Sequence, residues 1–497
     1  MYDVVIAGSG LGGLLSGFIL SREGYSVCIV EKNSQIGGCL QTFTRNKCIF
    51  DTGMHYIGSL DEGQILWQLF KYFGLTGKLK MKKLDVDCFD LIHIAGEEYK
   101  YAQGYELFID TLQQSFPNER KAIVDYVNLL KEIRASLDDF IFNTRDIEFM
   151  SRMKYFSLNT YDIIADITPN KKLQNVLAGL NPLHGGLPET NPIYLHAVIN
   201  NSLIESAWRF VDGGHQIADI LAESIVAAGG IIIKNAEVVK FGMDANDQLM
   251  EYAELANKEQ IRGKQFISNI HPVRTFEMLT SKQIRKAYVN RINSIDHTIS
   301  IFSLYIVFKE NEFPYLNYNY YHNEDENTWG AKIYDNVPWP YGYMLYTPAN
   351  SKSDAYADSM VAITYLKYDE LKQWENTTVE KRGEKYKEYK CQKAEKFLDE
   401  IEKKFPGCRS KIKTYYTSTP LTYRDYTATA KGSIYGIMKD STNPMKTFIL
   451  PKTKIPNFFL TGQNTNLHGV LGVTIGSLIT CGEFTGLPYL FNKVNDA

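Results

Sequence analysis

At 497 residues the chain is too long for one simple core, and two or more interleaved domains are expected. Its formal charge of −3, without any long basic stripe, excludes nucleic acid as the main partner. Seven cysteines at 28, 39, 48, 88, 391, 408 and 481 show no C-x-x-C spacing and suggest neither a disulfide framework nor a zinc site, which fits a reducing compartment.

The chain opens on a short apolar run, Tyr2 to Ala7, that feeds the turn Gly8-Ser9-Gly10-Leu11-Gly12-Gly13. An apolar helical segment follows, then a second apolar run, Val27 to Val30, that ends in Glu31 and Lys32. This is a strand–loop–helix–strand unit at dinucleotide-fold spacing. Gly8 permits the tight turn, Gly10 lets backbone approach a pyrophosphate, and Gly13 lets helix and strand pack closely. The helix start directs unpaired N–H groups at phosphate, and Glu31 is placed to accept from ribose hydroxyls. With a first strand at residue 2 there is no room for a cleavable signal, and no apolar run is long enough to span a bilayer. A cytoplasmic protein is expected, at most peripheral on the inner face of a membrane.

The continuation holds Gly37-Gly38-Cys39, then Asp51-Thr52-Gly53-Met54-His55-Tyr56. From about 76 to 204 the pattern reads as an inserted helical region, with helix-like patterns over Tyr105 to Phe116 and Arg120 to Leu137, then the stretch Leu158 to Ile167 and the turn-like His184 to Pro188. Residues 208–240 return to α/β character: Trp208 to Val211, the turn Asp212-Gly213-Gly214, a helix from His215 to Ala228, and strands at Ile231 and Val238. Another strand, Gln265 to Asn269, follows. A second insertion spans 280 to about 414, with strands at Ile299 to Phe308 and Met360 to Leu366. It also holds a charged helix near 377–405, whose stripe Tyr386, Tyr389, Phe397, Ile401 and Phe405 is apolar. The tail returns a strand at Asn457 to Gly462, then Gln463, Asn464 and a glycine-punctuated helix with Gly469, Val470, Gly472 and Gly476. The expected class is α/β. A discontinuous Rossmann-like nucleotide domain (1–75, 205–279 and 415–497) carries an inserted α+β substrate domain (76–204 and 280–414).

A lone glycine fingerprint is a weak signal. Here the acid at the second strand end, Gly37-Gly38 and the distant Gly462 strengthen it together. These segments, with Thr419-Pro420-Leu421-Thr422, Lys431 to Gly436 and Phe459 to Gln463, resemble the FAD-dependent phytoene desaturase, carotenoid isomerase and retinol saturase group. That group lies within the amine-oxidase-like flavoproteins, and the match runs nearly full length in motif order, nearest to the retinol saturase branch of all-trans-retinol 13,14-reductases. The resemblance implies FAD, with Gly8, Gly10 and Gly13 at the pyrophosphate, Glu31 at the ribose, and Leu11, Gly12 and Lys32 also among the cofactor-binding residues. Gly37 and Gly38 would lie along the phosphates and ribityl chain, Val238 by the adenine, Gly462 and Gln463 at the ribityl–flavin end, and Gly469, Val470 and Gly472 beneath the ring. Gln463 and Asn464 depart from the acid that many relatives place after the glycine; a neutral side chain still hydrogen-bonds a ribityl hydroxyl.

His55, Tyr56 and Tyr435 are the candidate catalytic residues. Each has a plainer reading beside it: a backbone hydrogen bond for His55, pocket lining for the tyrosines. His468 is a candidate cofactor neighbour. His184 and His215 lack metal-ligand spacing, so no metal is expected, and Cys39 reads as a small packing residue rather than a redox thiol. The resemblance implies an oxidoreductase acting on carbon–carbon double bonds of an apolar polyene or isoprenoid lipid, as a retinol-saturase-like reductase. An isomerase or desaturase of the same group is the alternative. A non-redox escort protein for prenylated GTPases, built on the same fold, is the outside one. No second nucleotide fingerprint is visible, which leaves NAD(P)H or another donor entering the flavin site, or a partner protein, to supply electrons. Oligomeric state is not readable from the chain.

Overall fold

The computed structural model describes residues 1–142, 154–329, 338–465 and 467–497. Strand Tyr2–Ala7 pairs in parallel with Val27–Val30 on one side and with the later part of Gln260–Ser268 on the other. Ile231–Ile233 adds outside Val27–Val30, and Phe458–Leu460 adds outside Gln260–Ser268, both parallel. Segments far apart in sequence thus form one parallel sheet. The first half of Gln260–Ser268 turns to an antiparallel ladder with Met250–Leu255, which pairs in turn with Val238–Met243. Val4, Ile6, Val27 and Ile29 on one face and Val5, Cys28 and Val30 on the other are at most 1 % exposed, as a parallel sheet covered on both faces requires. Helices Leu11–Arg22 and Gly469–Thr485 pack together over it, through Leu14, Leu15 and Phe18 against Leu471, Ile475 and Leu478.

The second large sheet runs in the order 412–418, 301–308, 359–365, 342–346, 319–323, 90–94, 97–101. Its strand Ile301–Phe308, second from one edge, is buried on both faces, and the two-residue period assigns each face a task. Phe302, Leu304 and Ile306 pack with Phe397, Leu398 and Ile401 of helix Glu384–Lys404. Tyr305 and Val307 point the other way, with Tyr321, Met344, Tyr346 and Val361. That second face lies toward the nucleotide sheet and walls a cavity.

Two segments differ from the sequence reading. The stretch after residue 76 is not all helical: Asp90–Ile94 and Glu97–Tyr101 form a hairpin at the sheet edge. Ala95 and Gly96, at φ 47° and 88°, supply the left-handed two-residue turn, and the strands alternate buried and more exposed positions at period two. The charged helix starts at Glu384 rather than near 377, because Tyr368–Trp374 is a 3₁₀ segment and Gly383 breaks the path at φ 82°. The helix assigned to Arg120 to Leu137 runs as Arg120–Phe142. Among the described residues no helix is long and apolar enough to cross a membrane.

Candidate functional site

One cavity of about 450 Å³ runs from the ends of the parallel strands to the inner face of the second sheet. Of the residues named from the sequence, Gly8, Gly10, Leu11, Gly12, Glu31, Lys32, Gly37, Gly38 and Val238 line it. So do Gly462, Gln463, Gly469, Val470, Gly472, His55, Tyr56, Tyr435 and His468. Gly13 differs: it stands behind the wall rather than facing the cavity. A Cβ there would lie 2.1 Å from the Gly8 carbonyl oxygen, so its task is close packing of turn on helix.

At the nucleotide end Glu31 is 5 % exposed. Its Oε2 accepts from the Ser9 N–H (3.0 Å) and the Ser9 hydroxyl (2.7 Å), and its Oε1 from the Asn33 N–H (2.8 Å). A carboxylate has about four lone-pair sites, so one remains for a ribose hydroxyl. Lys32 donates to the Asp425 carbonyl (2.7 Å), tying this corner to the 420–432 segment; burial lowers its pKa. Asn269, at the end of Gln260–Ser268, was not foreseen as a site residue. In the amide orientation that satisfies its neighbours, its oxygen accepts from the Gly10 and Gly13 N–H groups at 3.2 and 3.3 Å, capping the turn. The cradle leaves no room for side chains. A Cβ on Gly12 would lie 2.9 Å from the Gly462 Cα, and one on Gly38 3.1 Å from the Gly10 Cα. The free helix start, the bare glycine backbone and the spare acceptor of Glu31 fit a dinucleotide, and the cavity's continuation past Gly462 fits the length of FAD.

Beyond Gly53 the wall becomes aromatic. His55 stands between Tyr56 and Tyr346, with ring centroids 5.0 and 5.6 Å away. Burial pushes its pKa down to about 3, and Nε2 has no hydrogen-bond partner, so His55 is a neutral imidazole at physiological pH. The Tyr56 hydroxyl lies 3.0 Å from Asp90 Oδ2 and 2.9 Å from the Tyr321 hydroxyl. Asn319 donates to Asp90 Oδ1 (2.7 Å), and the buried Arg209 donates to Asn319 Oδ1 (2.7 Å) and to the Thr347 carbonyl (2.7 Å). Asp90 is fully buried, and desolvation raises its pKa to about 7 against the pull of Asn319, Tyr56 and Arg209. Asp51 accepts from the Gly214 N–H (2.8 Å) and is likewise pushed up to about 7 by burial. On the opposite side Tyr435 packs on His468 (4.6 Å between centroids), and His468 Nε2 lies 3.2 Å from the Leu183 carbonyl.

Sequence reasoning missed Tyr305, Tyr321 and Tyr346, which the strand period turns into the cavity, and the Asp90–Asn319–Arg209 chain behind them. Asp90 and Asn319 share a rung of one parallel strand pair, but nothing in the linear chain signals that pairing. Among the described residues no three His, Cys, Asp or Glu converge as a metal would need.

The NAD(P)-binding Rossmann-like domain family matches residues 6–73. The chain is 26% identical to an all-trans-retinol 13,14-reductase of Danio rerio, over 97% of this chain and 85% of that protein. It is 23% identical to prolycopene isomerase 1, chloroplastic, of an Oncidium hybrid cultivar, over 88% and 75%. Among solved structures, a putrescine oxidase triple mutant redesigned in cofactor binding superposes with a TM-score of 0.64 at 14% identity, covering 99% of each chain. The fold is therefore the Rossmann-like FAD-binding fold of amine-oxidase type. With the glycine cradle, the acid at the second strand end and similarity over nearly its whole length, the chain is similar to the retinol saturase and carotenoid isomerase group of flavoproteins.

Proposed function

We propose that the protein is an FAD-dependent reductase of a carbon–carbon double bond in an apolar polyene or isoprenoid lipid, retinol-saturase-like in its reaction. The observation that carries this reading is the single cavity that joins a nucleotide cradle to a chamber of tyrosines and aliphatic side chains. FAD, when bound, supplies hydride chemistry at its flavin ring. The chain's own tasks are to align an extended apolar substrate, exclude water, and deliver a proton to the second carbon. Val198, Ile199 and Leu203 on one side, with Met344, Val361 and Ile363 on the other, form apolar walls suited to such a chain. His55, Tyr56 and Tyr435 are the proton-handling or orienting candidates.

In this reading residues 1–75, 205–279 and 415–497 hold the cofactor, and 76–204 and 280–414 build the substrate chamber. The electron donor is NAD(P)H or a partner reductant entering from outside. Strongly exposed Met445 and Leu450 flank Phe448 and would form an apolar rim for peripheral contact with the inner face of a membrane, consistent with a cytoplasmic enzyme. Similarity to the prolycopene isomerase favours isomerisation as the second reading, with desaturation beside it. Anaerobic incubation of photoreduced enzyme with retinol and related polyenes is the test. Reoxidised flavin and a product heavier by two hydrogens support reduction. An unchanged product mass supports isomerisation, and two hydrogens fewer, from oxidised enzyme, supports desaturation. A purified protein that refuses FAD would support an escort role.

A further inference from the structure

Resting on the reductase reading above, we propose that Tyr56 is the cavity-wall acid that protonates the substrate carbon and that Asp90, hidden behind it, is the positioning residue that holds and returns the proton. Tyr56 lines the cavity and its hydroxyl is bonded at once to Asp90 and to Tyr321, which also lines the cavity. Asp90 is wholly buried, so a proton on its carboxyl leaves through Tyr56. Of the three candidate acids, Tyr56 is the one joined directly to a buried carboxyl. His55 carries no imidazolium proton at neutral pH, and Tyr435 packs on a buried His468 whose pKa burial lowers to about 4.

The two ends of Asp90 have different partners. Oδ1 receives the Asn319 amide, itself held by Arg209, which fixes the carboxyl plane. Oδ2 faces Tyr56, so in the protonated form its O–H donates to the Tyr56 oxygen. With hydride supplied by the reduced cofactor to one carbon, the Tyr56 O–H bond breaks and a C–H bond forms at the other. The Asp90 O–H breaks as its proton passes to the Tyr56 oxygen. The carboxylate left behind is stabilised by Asn319 and Arg209 and regains a proton from water once product leaves. The titratable groups around Asp90 are Tyr56, Tyr321 and Tyr101, whose pKa values lie above 10, Cys88, raised to about 12, and Arg209. Neither the tyrosines nor the thiol competes for the proton near neutrality.

The test uses FAD-loaded wild type, Asp90→Asn, Tyr56→Phe and, as comparison, Tyr435→Phe. Infrared pH-difference spectra between roughly pH 5 and roughly pH 9 should show two protonated carboxyl bands that titrate near neutrality, of which Asp90→Asn loses one and keeps that of Asp51. In Tyr56→Phe the Asp90 band should remain but shift, because its hydrogen-bond partner is gone. Polyene-driven flavin reoxidation should slow by about 100-fold in both Asp90→Asn and Tyr56→Phe. The wild-type fall in rate with rising pH should be flat in Asp90→Asn, and Tyr435→Phe should keep that pH profile. No carboxyl band assignable to Asp90, or a reoxidation rate in Asp90→Asn within about threefold of wild type, overturns the proposal while leaving the reductase reading in place. If the band is present but no polyene reoxidises the wild-type enzyme, the reductase reading falls, and the catalytic role of the pair falls with it.

Discussion

Glu31→Gln probes the cradle at its most constrained atom. The glutamine keeps the shape but exchanges one acceptor oxygen for an NH₂ group. Turned toward Ser9, that group would oppose the Ser9 N–H and displace its hydroxyl; turned toward Asn33, it opposes one N–H. The second orientation is cheaper, and because Asn33 is only half-buried the cost to the apoprotein is about 1 kcal/mol, the low end for an orphaned donor. The ribose hydroxyl loses a charged acceptor and keeps at most a neutral one, a difference of about 1–1.5 kcal/mol. FAD should therefore bind about tenfold more weakly. Urea unfolding of the apoprotein reads the first quantity, and flavin-fluorescence titration the second. An FAD affinity within about twofold of wild type, beside the expected loss of stability, would refute the ribose assignment and leave Glu31 as a strut for Ser9 and Asn33.

Gly13→Ala drives a methyl into the Gly8 carbonyl, so the protein should purify without flavin and be less stable by about 1–3 kcal/mol, read by flavin absorbance and urea unfolding. Asp90 ionises near 3.8 when unfolded but near 7 when folded. Folding therefore binds a proton between those values, and stability falls as pH rises through that window, by about 4 kcal/mol for this group at about 1.4 kcal/mol per pH unit. Asp90→Asn should accordingly gain on wild type between about pH 5 and about pH 8 in urea midpoints; a pH-independent difference would contradict the buried acid. His55, His196 and His271 act with the opposite sign. Burial pushes each down to about 3, so their contribution is complete above the ordinary 6.5 and is lost as pH falls toward 3, which unfolding midpoints taken down the acid limb should show. All seven cysteines are free and Cys391 is the exposed one, so a thiol reagent should label one site quickly in the native protein, and Cys391→Ser should abolish that phase.

The nucleotide half was legible because its determinants are local. Gly8 to Gly13 must turn tightly, an apolar helix must follow, and Glu31 must sit where the second strand ends, all within about thirty residues. The distant Gly462 was readable for the same reason, as a strand end before a helix start. The hairpin at Asp90–Tyr101 was hidden because its strands are five residues each and the surrounding segment is mostly helical.

The sequence by itself determined the fold class and the glycine turn that opens the parallel sheet, since backbone conformation and helix-start chemistry are written in adjacent residues. Only the tertiary structure decided what faces the cavity. Tyr56, Asp90, Asn319, Tyr321 and Arg209 come from four separated segments, and a strand register pairing Asn319 with Asp90 brings two of them together. Hydrogen bonds across such a register depend on which strands become neighbours, and burial of the carboxyl depends on what then closes over it. Neither is encoded at short range.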